Sequence, residues 1–382
     1  MHPHTPVRSS ARLGLVALLV LLSATAALAL FVPAAGGFSS VAEVREPAPW
    51  PGWPNSLRDI RQWPRRFEAY VGDAFPGRSA LIGAGNTLLW RLGLLRSSRV
   101  IEGPENWLFL GDFQQQTIAK SRGLFPLSAE QAARWAEQYE AVRAGVGEQG
   151  AELRLVFVPD KQSVYPQQLP AWARPAPGER PTMTDQILEA LRRRGAHGFL
   201  DLRPVLREAA SRQQVYWRTD SHWNPAGALV AAEHILPWLR PDQPAAVSAL
   251  LARCSVAEGD GLVSGDLVRI LGVDSFPAEP SAVLRVAEAR AEASATWQTV
   301  WGLKEPFRTS VEGGVPGKVL VLCDSFLDAW WPVLAELSGE TVYFHHQSLQ
   351  VSRTLLGSEK PSMVLLIIVE RLLPAIGPSL VR

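Results

Sequence analysis

Serine becomes a nucleophile near neutral pH only when a base takes its proton, and this chain holds one strand-end serine and one Asp-x-His element that would supply such a pair. The serine lies in VLVLCDSFLDAW, where the apolar run Val319 to Leu322 reads as a buried strand followed by Asp324, Ser325 and a helical pattern. A hydroxyl at the carboxyl end of such a strand sits where open α/β sheets bind ligands. The Ser325 N–H, near a helix start, could also face a developing oxyanion. A second reading makes Asp324 or Ser325 only the cap of that helix. The Asp-x-His element lies in YWRTDSHWNPAG. If this segment is extended, Asp220 and His222 point to the same side, so the carboxylate could hold one imidazole nitrogen while the other takes the serine proton. Two alternatives remain open: Asp220 caps a turn while His222 packs against Trp217 or Trp223, or the pair ligates a metal. For a metal, His234 lies inside the following helix, and His345 and His346 have no supporting spacing. Combined, Ser325, His222 and Asp220 form a complete acyl-transfer set, whose chain order is one of several that build the same geometry. No GxSxG elbow is present.

These residues must be positioned by alternating helices and strands, the pattern of a mostly parallel sheet covered by helices. Leu153 to Val158, Gly198 to Asp201, Val319 to Leu322, Thr341 to Phe344 and Met363 to Val369 read as strands. Ser128 with Gln131 forms a capping box for a helix running to about Gly145, a helix follows near Thr184 to Arg194, and Asn224-Pro225 starts one ending near Leu239. A further helix is expected near Ala329 to Leu337. Val100 to Asp112 reads as a hairpin around Gly-Pro-Glu-Asn, and Asn55 to Val71 as a helix that Pro64 should break or restart.

The chain has 382 residues, 47% hydrophobic and 20% charged, which excludes a disordered or collagen-like polypeptide. Its 38 Lys and Arg against 37 Asp and Glu give a formal charge of +1, so no global electrostatic case exists for nucleic acid. Two cysteines, Cys254 and Cys323, allow at most one disulfide and no four-cysteine zinc site; Cys323, at a buried strand end, reads as a small apolar filler.

Residues 13–32, LGLVALLVLLSATAALALFV, are long enough as a helix to cross a bilayer. Arg8 and Arg12 precede them, which keeps residues 1–12 in the cytoplasm and sends the rest outward. The competing reading is a cleaved signal peptide. Residues 33–54, rich in Pro and Gly, form a tether, and residues 55–382 form the exported domain. The expected location is the periplasmic side of the cell inner membrane.

Seven blocks in chain order make this sequence resemble the alginate O-acetyltransferase family of AlgJ and AlgX: FPGRSALI with Arg78, IEGPENWLFLGD, VFVPDKQSVYPQQLP, TDSHWNPAGA, SGDLVRILG, VLCDSFLD and the terminal VERLL. The resemblance implies an SGNH hydrolase-like catalytic domain with Ser325 as nucleophile, His222 as general base and Asp220 as orienting carboxylate. It implies O-acetylation of an exopolysaccharide, with a membrane-bound O-acyltransferase partner delivering acetyl groups and no metal or bound cofactor required. Cys323 departs from the glycine of the GDS motif, which leaves the oxyanion hole only partly assigned. Lys161 and Tyr165, after a strand end, could reach a sugar; a buried lysine stem and a satisfied turn tyrosine are the alternative. Arg371, beside Glu370, reads as one half of a structural ion pair. The 14 tryptophans, Trp107, Trp135 and Trp301 among them, could include sugar-stacking rings or core anchors. A carbohydrate acetylesterase with the same three residues, and a non-catalytic polysaccharide-binding or scaffold subunit, are the rival functions.

Overall fold

Short runs of aliphatic and β-branched residues with both faces apolar demand cover on two sides, and the strands that carry them form the central sheet of one compact unit. The computed structural model describes residues 48–74, 78–175, 180–294, 306–345, 349–373 and 377–381. Two compact units emerge: the described residues up to Arg96 with Arg269–Phe276, and Ser97–Val268 with Pro277–Arg382.

In the first unit, the helix Leu57–Ala74 runs through Pro64, which was expected to break it. One lost backbone bond is offset locally by aromatic packing, with Trp63 stacked on Phe67 at 4.6 Å and on Trp53 at 6.0 Å. The helix Arg78–Arg91 follows, and Asn86 Nδ2 donates to the Leu271 carbonyl at 3.1 Å. Residues 13–32, expected to span a membrane, lie outside the described residues. Among those described, no helix is long and apolar enough to cross one.

The second unit contains the strands, numbered in chain order: β1 (Val100–Glu102), β2 (Leu108–Leu110), β3 (Glu152–Val158), β4 (Phe199–Asp201), β5 (Cys254–Val263), β6 (Glu279–Val286), β7 (Glu292–Ala293), β8 (Phe307–Ser310), β9 (Val315–Cys323), β10 (Ser338–His345), β11 (Gln350–Ser352), β12 (Met363–Val369) and β13 (Ser379–Val381). The central sheet has the order β4-β3-β12-β9-β10-β8-β7. Its first five strands are parallel, while β8 pairs antiparallel with β10, and β7 antiparallel with β8. The sheet is therefore mixed. Only Val311 to Gly314 separate β8 from β9, too few residues for the crossover that a parallel strand needs, so β8 must enter in reverse.

Both faces of the parallel core are buried with period two. Val156, Val158, Val319, Val321, Cys323, Leu365 and Ile367 face the helix Pro225–Leu239 and its neighbours, whereas Leu155, Phe157, Leu320, Leu322, Leu366 and Ile368 face the helices Ala129–Gly147 and Met183–Arg193. Each such side chain contributes about 1.5–3 kcal/mol by leaving water. Ser128 and Gln131 form the expected capping box, and Asn224 accepts from Gly227 N at 2.9 Å. The β1–β2 hairpin is antiparallel, with Glu105 and Asn106 at positive φ in its turn. The long antiparallel pair of β5 and β6 was not expected; its alternation is broken by charged and small residues, and a register shift falls between Glu258 and Leu262.

Candidate active site

At the end of β9 the chain turns sharply: Asp324 is the N-cap of a 3-10 turn, Ser325–Ala329. The buried Asp324 carboxylate accepts from Phe326 N at 3.0 Å and from Val369 N at 2.7 Å, tying the ends of β9 and β12 together. Burial pushes its carboxyl up from the usual range, opposed by these backbone bonds and by Arg371. The two readings of the Asp-Ser pair divide between its members, since Asp324 caps and Ser325 is left to face His222.

His222 sits on a loop pinched off by the antiparallel bridge between Tyr216 and Trp223. The segment is not extended, as expected, but turned. Asp220 Oδ1 accepts from the His222 backbone N–H at 2.9 Å and lies 2.6 Å from His222 Nδ1. A local side-chain turn of this kind, available to Asp, aims the carboxylate at the imidazole without any strand. Three groups hold the loop, Lys161 and Glu279 buried and Asp266 half-buried. Lys161 Nζ donates to the carbonyls of Trp217, Arg218 and Asp220 at 3.0, 3.0 and 2.7 Å. Glu279 accepts from Arg218 N, Thr219 N and Thr219 Oγ1 at 3.0, 2.8 and 2.8 Å. Asp266 accepts from Ser221 N at 2.7 Å. Trp223 Nε1 donates to the Phe326 carbonyl at 2.9 Å, joining this loop to the Ser325 turn.

The result is a continuous line of contacts: Ser325 Oγ lies 2.7 Å from His222 Nε2, whose Nδ1 meets Asp220. Burial disfavours the imidazolium, but the Asp220 hydrogen bond and the charges of Asp220 and Asp266 outweigh it and lift the pKa above 6.5. Asp220, despite the opposing effect of burial, is held well below the usual carboxylate range by His222 and by the backbone N–H groups of Asp266 and His222. Such a set can pass the serine proton to Nε2 while Nδ1 stays hydrogen-bonded to the carboxylate. The Ser325 N–H opens the 3-10 turn, where first-turn donors lack intrahelical partners.

Ser325, His222 and Asp220 line a groove of about 390 Å³ with Trp217, Trp223, Ala282, Val283, Leu284 and Asp328. Lys161 and Tyr165, expected at a sugar, do not line it. Both are buried, Lys161 with its ammonium committed to three carbonyls and Tyr165 accepting from Val215 N at 2.9 Å, so both support the loop from beneath. Burial draws the Lys161 ammonium down to about 7 against the pull of Asp220, Asp266 and Glu279. Arg371 pairs with Asp160 at 2.6 Å, and its neighbour Glu370 lies 3.6 Å from Arg203. Trp107 and Trp135 are core rings, and Trp301 lies outside the described residues. Cys254 and Cys323 are free, with Cys323 buried in the core.

Asp220, His222 and Asp266 are close enough to share a cation, their ligand atoms lying within 4.8 Å of one another. Yet the contact between Nδ1 and Oδ1 is hydrogen-bond length, and Nε2 is directed at Ser325. Asp266, Glu279 and Asp328 are site residues that sequence reasoning did not single out. The first lay in view inside SGDLVRILG, where an acid before an apolar run looks like any helix start.

Residues 100–301 match the family model described as SGNH hydrolase-like domain, acetyltransferase AlgX. Probable alginate O-acetylase AlgJ of Azotobacter vinelandii is 27% identical over 178 residues, 46% of this chain and 42% of that protein. Its namesake in Pseudomonas putida is 32% identical over 137 residues, 35% of this chain and 32% of that protein. The matched region thus spans less than half the length of these curated relatives. The solved O-acetyltransferase domain of Pseudomonas putida AlgJ shares 22% identity with a TM-score of 0.44, covering 71% of this chain and 91% of that one.

Proposed function

This chain belongs to the AlgX family of SGNH hydrolase-like acetyltransferase domains, and we propose that it transfers acetyl groups through Ser325, His222 and Asp220. The observation that carries this reading is the 2.7 Å contact between Ser325 Oγ and His222 Nε2, backed by Asp220 at 2.6 Å from Nδ1. As Oγ attacks the acetyl carbonyl, its proton passes to Nε2. The leaving group then departs with that proton, and the acetyl group stays on Ser325. A sugar hydroxyl enters the groove and gives its proton to Nε2. It attacks the acetyl-serine and takes the acetyl group away as an ester, while Ser325 recovers its proton. Asp220 keeps Nδ1 protonated throughout and stabilises the imidazolium.

The acceptor in this reading is a hydroxyl of an exopolysaccharide, alginate being the polymer in the names of the curated relatives. The apolar run 13–32 supports an inner-membrane anchor with the catalytic domain in the periplasm. Acetyl-CoA is cytoplasmic, so a membrane-bound O-acyltransferase would bring acetyl groups across.

The groove is open to solvent, and the same three residues with water as acceptor would make an acetylesterase. One assay addresses both readings: the full chain is mixed with an activated acetyl ester and a polysaccharide, and polymer-bound acetyl is followed. Transfer is expected for the unaltered chain and should be lost in Ser325→Ala, together with labelling by a serine-directed fluorophosphonate. Full transfer by Ser325→Ala would remove the proposed nucleophile, and acetate release without polymer acetylation would favour the esterase.

A further inference from the structure

Asp266 opens the helix Asp266–Leu271, yet its side chain is not spent on that helix. Its Oδ1 accepts from Ser221 N at 2.7 Å and its Oδ2 from Ser221 Oγ at 2.6 Å, so both oxygens hold the residue between Asp220 and His222. Its backbone N–H donates to Asp220 Oδ2 at 2.8 Å. This engages the one Asp220 oxygen that His222 leaves unused, and it stops the carboxylate from rotating away from the imidazole. Asp266 Oδ2 also stands 3.9 Å from His222 Nδ1. Two carboxylates therefore face one nitrogen, the nearer by hydrogen bond and the farther by charge.

We propose that Asp266 is a positioning residue of the relay, a second carboxylate that locks Asp220 and Ser221 in place and lends its charge to the imidazolium formed when the serine proton arrives. This deepens the acyl-transfer reading and rests on it. The other charged groups around the ring are Asp220 on its own loop, Arg371 at the end of β12, Asp324 at the end of β9, Asp328 in the groove wall, and Lys161 beneath Asp220. Arg371 opposes the imidazolium, whereas Asp220 and Asp266 favour it. Burial and the Asp220 charge make Asp266 itself harder to ionise, while His222 and Ser221 pull the other way, as expected for two acids sharing one imidazole.

Asp266→Asn keeps the shape and an acceptor for the Ser221 N–H but deletes the charge. In the full chain, the His222 ring is titrated by nuclear magnetic resonance, its signal assigned by its loss in His222→Ala. The rate of Ser325 labelling by a fluorophosphonate is followed against pH in parallel. The His222 pKa and the acidic limb of the labelling profile should both move down by roughly one pH unit, and Asp266→Glu, which restores the charge, should move them back. Unmoved values in Asp266→Asn would overturn the proposal, and so would a labelling rate that falls at every pH without a shift, the mark of a merely structural role. The unaltered chain supplies an independent check should a variant not fold: the Asp266 carboxyl must titrate with one step shared with His222, and a single unlinked step would refute the coupling. Failure of Ser325 to label in the unaltered chain would count against the acyl-transfer reading, while the ring titration would still decide the role of Asp266.

Discussion

In the proposed reaction His222 is a base only while its ring is neutral, and Asp220 and Asp266 raise its pKa from the ordinary 6.5. The sign follows directly. Below that raised value the ring is protonated and idle, so the rate of acyl transfer should climb as pH rises through it and then level off. Asp220→Asn removes the nearest charge and turns into a donor one of the two oxygens that accept from His222 and from the Asp266 N–H. The acidic limb should move to lower pH, while the plateau rate falls on the order of 10³–10⁴-fold because the tautomer is no longer held. A pH profile of acetyl-ester turnover checks both effects, and a plateau within a few-fold of the unaltered chain would contradict the role given to Asp220. At this scale the sequence was informative for a physical reason. Asp, His and Ser at a strand end and before a helix cap are residue types whose pairing chemistry is specific. Lys161 and Tyr165 stayed open between a sugar contact and internal support because a polar side chain after a strand can turn outward to a ligand or inward to unpaired carbonyls, and composition does not separate the two.

Among the elements, the loop between Tyr216 and Trp223 does most to set the geometry, and it is held by side chains remote in sequence: Lys161, Asp266 and Glu279. Gly265 shows how tightly. A Cβ there would strike the backbone of Thr219 and Asp220, which cannot give way without displacing the carboxylate. Gly265→Ala should therefore lower acetyl-ester turnover on the order of 10²-fold. Thermal melting would accompany the assay, and turnover equal to the unaltered chain would show that the loop is slack. The strands β3, β9 and β12 and the caps at Ser128 and Asn224 were legible because burial on both faces and cap chemistry are local signals. The β5–β6 pair, the antiparallel edge of β8 and β7, and the turned form of Asp220 were not. Each depends on pairing or hydrogen bonds with distant residues, which override local pattern.

For the molecule as a whole, the mixed sheet brings residues 103 positions apart to hydrogen-bond distance, His222 from before the helix Pro225–Leu239 and Ser325 from the end of β9. The alternation of helix and strand announced the layered α/β core, but no pattern in the chain specifies that this pair must meet. In the proposed reaction donor and acceptor use the same open groove and therefore come in turn, with the acetyl group resting on Ser325 between visits. The most direct measurement is rapid acid quenching of the full chain after mixing with an activated acetyl ester, followed by mass spectrometry of its peptides. An acetyl group on Ser325 is expected that forms before acetylated polymer, disappears when polymer is added, and is missing in His222→Ala. Acetylated polymer formed with no acetyl on Ser325 at any time, or acetyl-serine that polymer does not consume, would contradict the proposed reaction.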